Sequence, residues 1–242
     1  MPPPTSTADP STLSDLPLVA SELDLLASLV PLAGAHIIEA GCGAAGLARA
    51  LLKRFDDARI VGLEVDERQL AKNLTEPVPR LQFLHAGAQA IPFPDASFDG
   101  AMMLKSLHHV PRELMDPALA ELARVVRPGG WLYVSEPVYA GELNDLIRLF
   151  NEEGEVRALA QQALDRALES GRWLPDTEHR FGMRRRFRDF AEFERTLMRP
   201  TFADHKIDDT LLARVRERYA RHQTPEGANF VAPMRVRLLR RA

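Results

Sequence analysis

Cysteine is almost missing from this chain: Cys42 stands alone among 242 residues. A single thiol excludes a disulfide framework within the chain and any zinc site built on clustered cysteines. No run of 18 uninterrupted apolar residues occurs, so no membrane-spanning helix is expected. The first 14 residues are rich in Pro, Ser and Thr and lack both the basic start and the apolar centre of a signal peptide. Residues 1–15 therefore read as a disordered lead-in, and a cytoplasmic location follows by default. Lysine is scarce too, with four against 27 arginines, which reflects residue usage more than function.

Apolar residues make up 45% of the chain and charged residues 27%, enough for an ordinary buried core without staples. The net charge of −3 hides an asymmetry. Residues 1–171 carry 14 Lys and Arg against 24 Asp and Glu, whereas residues 172–242 carry 17 against 10. An acidic first part before a basic tail argues for two functional parts.

Apolar spacing predicts a helix over 22–30 behind Ser21 and a strand over 36–40 (HIIEA). A helix follows over 45–55, a strand over 59–65, a helix over 66–74 and a strand over 81–85. Another strand lies within 96–104, an amphipathic helix over 117–126 and a fifth strand over 131–135. Strands that are continuous apolar runs, alternating with helices, predict an α/β fold with a mostly parallel sheet buried on both faces. Beyond residue 137 the rhythm changes. Residues 141–170 are helix-forming, helices are expected over 187–198 and 208–222, and a strand over 229–239.

Gly41, Gly43 and Gly46 follow a predicted strand and open a predicted helix, the context in which this spacing gains meaning. Glycines let the backbone turn sharply and let a ligand approach, and the helix start offers amides. Glu64 ends the next strand, where a carboxylate can accept hydrogen bonds from the two hydroxyls of a ribose. This much implies a nucleoside-containing cofactor, either NAD or S-adenosylmethionine. Glu39, two residues before Gly41, favours the second, because a carboxylate there repels a pyrophosphate and attracts an ammonium. Residues 91–99 (IPFPDASFD), 106–110 (SLHHV) and 122–130 (LARVVRPGG) follow in order. In that order the set resembles the class I S-adenosylmethionine-dependent methyltransferases, in particular the small-molecule branch that includes the ubiquinone and menaquinone biosynthesis enzymes. The resemblance covers residues 37–136.

The resemblance implies a Rossmann-like, doubly wound sheet of about seven strands and S-adenosyl-L-methionine as cofactor. It implies that Glu39, Gly41, Cys42, Gly43 and Gly46 wrap the methionyl end, that Glu64 holds the ribose, and that Val65 packs on adenine. Ala88 and Gln89 would line the adenine edge. Where the family often has an acid beside the adenine amino group, this chain has Gly87, and Gln89 or a backbone carbonyl is expected to substitute. Leu104 and Lys105 are expected among the cofactor-binding residues, and Lys105 and Ser106, at the same edge, are expected to face the methyl pocket. His108 is the candidate base, since histidine titrates near working pH and follows the fourth strand at the ligand edge. No Asp/Asp/Asn set of the kind catechol methyltransferases use for magnesium is present, so no metal is expected.

The acceptor is expected to be a small molecule. Residues 16–242 read as one domain, with 138–200 as a helical cap after the fifth strand and Phe150 or a neighbour lining the acceptor pocket. The basic stretch over 179–188 (HRFGMRRRFR) reads as a solvated helix face or loop, and a nucleic-acid partner is not expected. Two other readings share the glycine loop: a binding protein of the same fold that has lost catalysis, and an NAD-dependent oxidoreductase, against which Glu39 counts.

Overall fold

The computed structural model describes residues 15–199 and 205–242; the expected lead-in lies outside them, Asp15 apart. Strand β1 (Leu18–Val19) precedes helix α1 (Glu22–Leu29). Then β2 (His36–Ala40), α2 (Gly46–Arg54), β3 (Arg59–Glu64), α3 (Glu67–Thr75), β4 (Leu81–His85) and β5 (Phe98–Leu104) follow. After a 3-10 turn (Leu107–His109) come α4 (Met115–Val125), β6 (Val126–Pro137), α5 (Glu142–Ile147), α6 (Gly154–Glu169) and β7 (Trp173–Phe187). The chain ends with α7 (Phe190–Phe193), α8 (Asp209–Ala220), β8 (Gln223–Thr224) and β9 (Gly227–Arg241). Among the described residues nine strands stand against about seven expected, but β1 and β8 are only two residues long. No helix among the described residues is long and apolar enough to cross a membrane.

The chain divides into two compact units. The larger comprises Ser21–Glu136, Gly154–His179 and Arg235–Ala242. Its strands run in the order β7-β9-β6-β5-β2-β3-β4. The ladders joining β6, β5, β2, β3 and β4 are all parallel. Every residue of β2 after His36 is buried, as is every residue of β3 after Arg59, because helices cover both faces. From β2 the chain winds outward through β3 and β4, then returns to lay β5 and β6 on the other side. Open α/β sheets bind ligands outside the strand C-termini at such a reversal.

The core of this unit runs from Ile38 and Leu63 through Leu119 and Leu122 of α4 to Ala160, Ala163 and Leu164 of α6. Burying Leu119 and Leu122 contributes about 1.5–3 kcal/mol each. Trp173 closes the cluster, its Nε1 donating to the Leu119 carbonyl at 3.0 Å. Residues 138–200 therefore do not form a single cap. The small alanine face of α6 packs against α4, and 154–179 belong with the α/β sheet.

The smaller unit holds the described part of Met1–Ala20 together with Pro137–Glu153 and Arg180–Met234. In it β1 pairs in parallel with β7 (Leu18↔Gly182, Val19↔Met183), and β8 pairs antiparallel with β9. Its core is aromatic: Phe187, Phe193, Tyr219 and Phe230 meet with ring centroids 5.0–6.2 Å apart. Phe150, expected to line a pocket, packs edge-on against Phe193 and His205. Asp189 caps α7 through the Glu192 amide, and Asp208 caps α8 through the Leu211 amide. The basic stretch over 179–188 is corrected from helix face or loop to strand. Phe181 and Phe187 are buried while Arg184, Arg185 and Arg186 face solvent.

Candidate active site

The loop after β2 is built on left-handed residues. Gly41 turns at φ +69°, and a Cβ there would lie 2.8 Å from the Ser106 Cβ, so glycine is required on two counts. Gly43 (φ +52°) has open space where a Cβ would stand. Its peptide is clamped from both sides: its N–H donates to Glu64 Oε2 and its carbonyl accepts from Asn73 Nδ2, each at 2.7 Å. Ala45, also left-handed (φ 54°), precedes α2, and no side chain caps that helix. The first-turn amides of α2, from Gly46 on, are thus left for a ligand or solvent. Cys42 is 6% exposed, donates its N–H to the Leu63 carbonyl, and packs its sulfur against Gly62. Burial, with Glu39 and Glu64 nearby, pushes its thiol far up, which makes it a space-filler and not a nucleophile.

Glu64 accepts three backbone hydrogen bonds, from Gly43 to Oε2 and from Val65 and Asp66 to Oε1 at 2.9 and 2.8 Å. A carboxylate offers about four lone-pair sites, so Glu64 shapes the loop and keeps room for one further donor. Val65 follows with 63% exposure, an apolar side chain turned to solvent beside that carboxylate. In the turn after β4, Ala88 is buried, and a Cβ at Gly87 would collide with the Gln89 side-chain amide. Gln89 folds into the space that an acidic side chain at position 87 would need.

Glu39 is 2% exposed, and its Oε2 has no hydrogen-bond partner among the described residues. Burial pushes its carboxyl up to about 8; Lys105 pulls the other way, while Glu22 and Glu64 add to the rise. A buried carboxyl without a partner is costly, and a cationic donor relieves that cost. The unpartnered Glu39 oxygen, the open face of Gly43 and the uncapped α2 fit the amino-acid end and the nucleoside of S-adenosylmethionine.

At the end of β5, Leu104 is half-buried and Lys105 turns left-handed (φ 57°), donating its N–H to Ser135. His108 follows in the 3-10 turn and is buried, with Nδ1 paired to Glu136 Oε2. The other Glu136 oxygen accepts from the Leu107 amide at 3.0 Å. A carboxylate on Nδ1 fixes the orientation of the ring. His109 stacks at a tilt on His108, 4.0 Å between ring centroids.

A family model described as a methyltransferase domain matches residues 38–134. An O-methyltransferase of Penicillium expansum is 34% identical over 139 residues, 54% of this chain and 49% of that protein. The 27-O-demethylrifamycin SV methyltransferase of Amycolatopsis mediterranei is 34% identical over 119 residues, 47% of this chain and 43% of that protein. The crystal structure of a Bacillus halodurans protein superposes with a TM-score of 0.63 at 16% identity, covering 91% of this chain and 99% of that one, which speaks for the fold alone. Residues 38–134 thus carry the pattern of a methyltransferase domain, on an α/β fold shared with that solved structure. It spans about half the length of the curated relatives it matches.

The β2/β5 reversal brings Glu39, Gly41, Cys42 and Gly43 close to Lys105 and Ser106, with Ser106 Oγ donating to the Ala40 carbonyl. Sequence reasoning missed four members of the site. Asn73 clamps Gly43, Glu136 orients His108, and Glu22 and Tyr133 stand near Glu39. Glu136 left a signal, an acid closing the apolar strand WLYVSEP. Glu22 left none, because a first-turn glutamate is also what a helix start favours.

Proposed function

We propose that the protein transfers a methyl group from S-adenosyl-L-methionine to an oxygen of a small-molecule acceptor, with His108 as general base. The observation that carries this reading is the buried His108–Glu136 pair, set at the same sheet edge as the unpartnered Glu39 carboxyl. When bound, the cofactor supplies a methyl already activated by its positive sulfur. Glu39 and the Gly41–Gly43 turn hold its methionyl end, Glu64 its ribose, and Val65, Ala88 and Gln89 its adenine. His108 takes the acceptor's hydroxyl proton at Nε2, while Glu136 holds Nδ1 and compensates the charge that develops on the ring. The relatives that act as O-methyltransferases support an oxygen acceptor.

The test measures S-adenosylhomocysteine release against a panel of hydroxylated small molecules. His108→Gln is expected to lower kcat about 100-fold or more, the usual contribution of a positioned base, with S-adenosylhomocysteine affinity unchanged. A variant with undiminished kcat would remove His108 from the role. A protein that binds the cofactor and turns over none of the panel would favour the non-catalytic reading.

A further inference from the structure

Glu22 lies outside the matched methyltransferase segment, on the first turn of α1, and is nevertheless buried at 6% exposure. The register explains what it meets. Glu39 of β2 stands opposite Met102 of β5, and Met102 stands opposite Tyr133 of β6, so the three share a row on one face of the sheet. Glu22 reaches this row from α1. Its Oε2 accepts from Lys105 Nζ at 3.2 Å. Its Oε1 is buried without a hydrogen-bond partner among the described residues, as are Glu39 Oε2 and the Tyr133 hydroxyl. Burial, then the charge of Glu22 and the approach of the hydroxyl to it, push the Tyr133 phenol far up, so it stays protonated, a donor directed at Glu22 though short of a well-formed hydrogen bond. Glu39 feels Glu22, Glu64 and Lys105 together, three carboxyl groups around a single cation. The Lys105 side chain is 43% exposed and thus only half committed to the interior.

This arrangement is short of one positive charge at its buried end and has a movable positive charge at its open end. A divalent metal would answer only the first feature, and a simple amine likewise. A group carrying an ammonium and a carboxylate on one carbon answers both. We propose that Glu22 and Lys105 complete, with Glu39, a receptor for the α-amino-acid zwitterion of the cofactor: the two carboxylates take the ammonium, and Lys105 moves from Glu22 to the ligand carboxylate. The Glu22–Lys105 pair is thus a placeholder that the ligand replaces with two ion pairs. The inference rests on the cofactor reading above and adds to it a residue from outside the matched segment.

The test is calorimetry with two ligands that share nucleoside and thioether: S-adenosylhomocysteine, and 5′-methylthioadenosine, which lacks the amino-acid end. Glu22→Gln is expected to weaken S-adenosylhomocysteine about tenfold or more, the order seen when a charge-assisted hydrogen bond is lost, and to leave 5′-methylthioadenosine unchanged. Lys105→Gln is expected to show the same selectivity, which keeps the inference testable if Glu22→Gln does not fold. Equal losses for both ligands, or no loss for either, would overturn it by making Glu22 a packing residue. Wild-type protein that binds neither ligand would overturn the cofactor reading and this inference with it. Wild type that binds both equally would overturn the inference alone.

Discussion

The two units treat their polar groups in opposite ways. In the smaller one the helices α7 and α8 each begin with an aspartate that satisfies a first-turn amide, and the core is a set of aromatic rings in edge-on or tilted contact. Its buried Tyr219 hydroxyl, which lacks a partner among the described residues, is an exception. In the larger unit, α2 starts without a side-chain cap behind a left-handed alanine, and two buried carboxylates keep oxygens unpartnered beside a left-handed lysine. Each of those departures costs stability, and all cluster at one sheet edge. α5 of the smaller unit also starts uncapped, behind Gly141, so what sets the larger unit apart is the gathering of such departures at one place, the pattern of a candidate binding site.

Three substitutions sharpen that contrast. Phe193→Ala removes the ring shared by Phe150, Phe187, Phe190 and Tyr219. It should destabilise the protein by roughly 3–5 kcal/mol, while the protein that remains folded binds S-adenosylhomocysteine as before. A small change in denaturant midpoint would show that the aromatic cluster is not what holds the smaller unit.

Glu39→Gln should do the reverse and stabilise the fold while abolishing tight cofactor binding. The sign follows from the carboxyl's titration. Glu39 keeps its proton to about pH 8 in the native state and to about 4.5 when unfolded. Between those values the native state binds more protons, so wild-type stability falls as pH rises. Glutamine does not titrate. Its advantage should be near zero below pH 4.5 and grow to about 4 kcal/mol by pH 8, at about 1.4 kcal/mol for each unit between the two titrations. A difference in stability that stays flat from pH 4 to 8 would mean that the Glu39 carboxyl titrates alike in the native and unfolded states. The smallest effect belongs to Asp208→Ala, which removes the cap of α8 and should cost about 1 kcal/mol. Thermal unfolding that does not move would show the cap is replaced by water at no loss.

Legibility in the sequence followed the same division. From β2 to α4 the expected strands and helices lie within about two residues of those observed, since periodicity and caps there agree with the fold. β7 was hidden because its outward positions are nearly all charged or polar. It is held by long-range partners, Arg240 to Asp176 and Arg235 to Glu178, that no local window contains. The helix over 154–169 was legible as a helix, but its attachment to α4 was not, because an alanine face fits many neighbours. At the site, the glycine loop, Glu39 and Glu64 announced themselves through spacing. Glu136 and Glu22 became partners only once β6 and α1 were in place.

Cys42 brings a practical consequence. The chain has one thiol, and it is shut inside the glycine loop with its ionisation suppressed. A sulfhydryl reagent can reach it only when that loop opens, so the rate of labelling is a clock for loop opening, read without any engineered probe. Ligand that closes the loop should slow the clock, and the ratio of the two rates converts directly into the free energy the ligand adds to it.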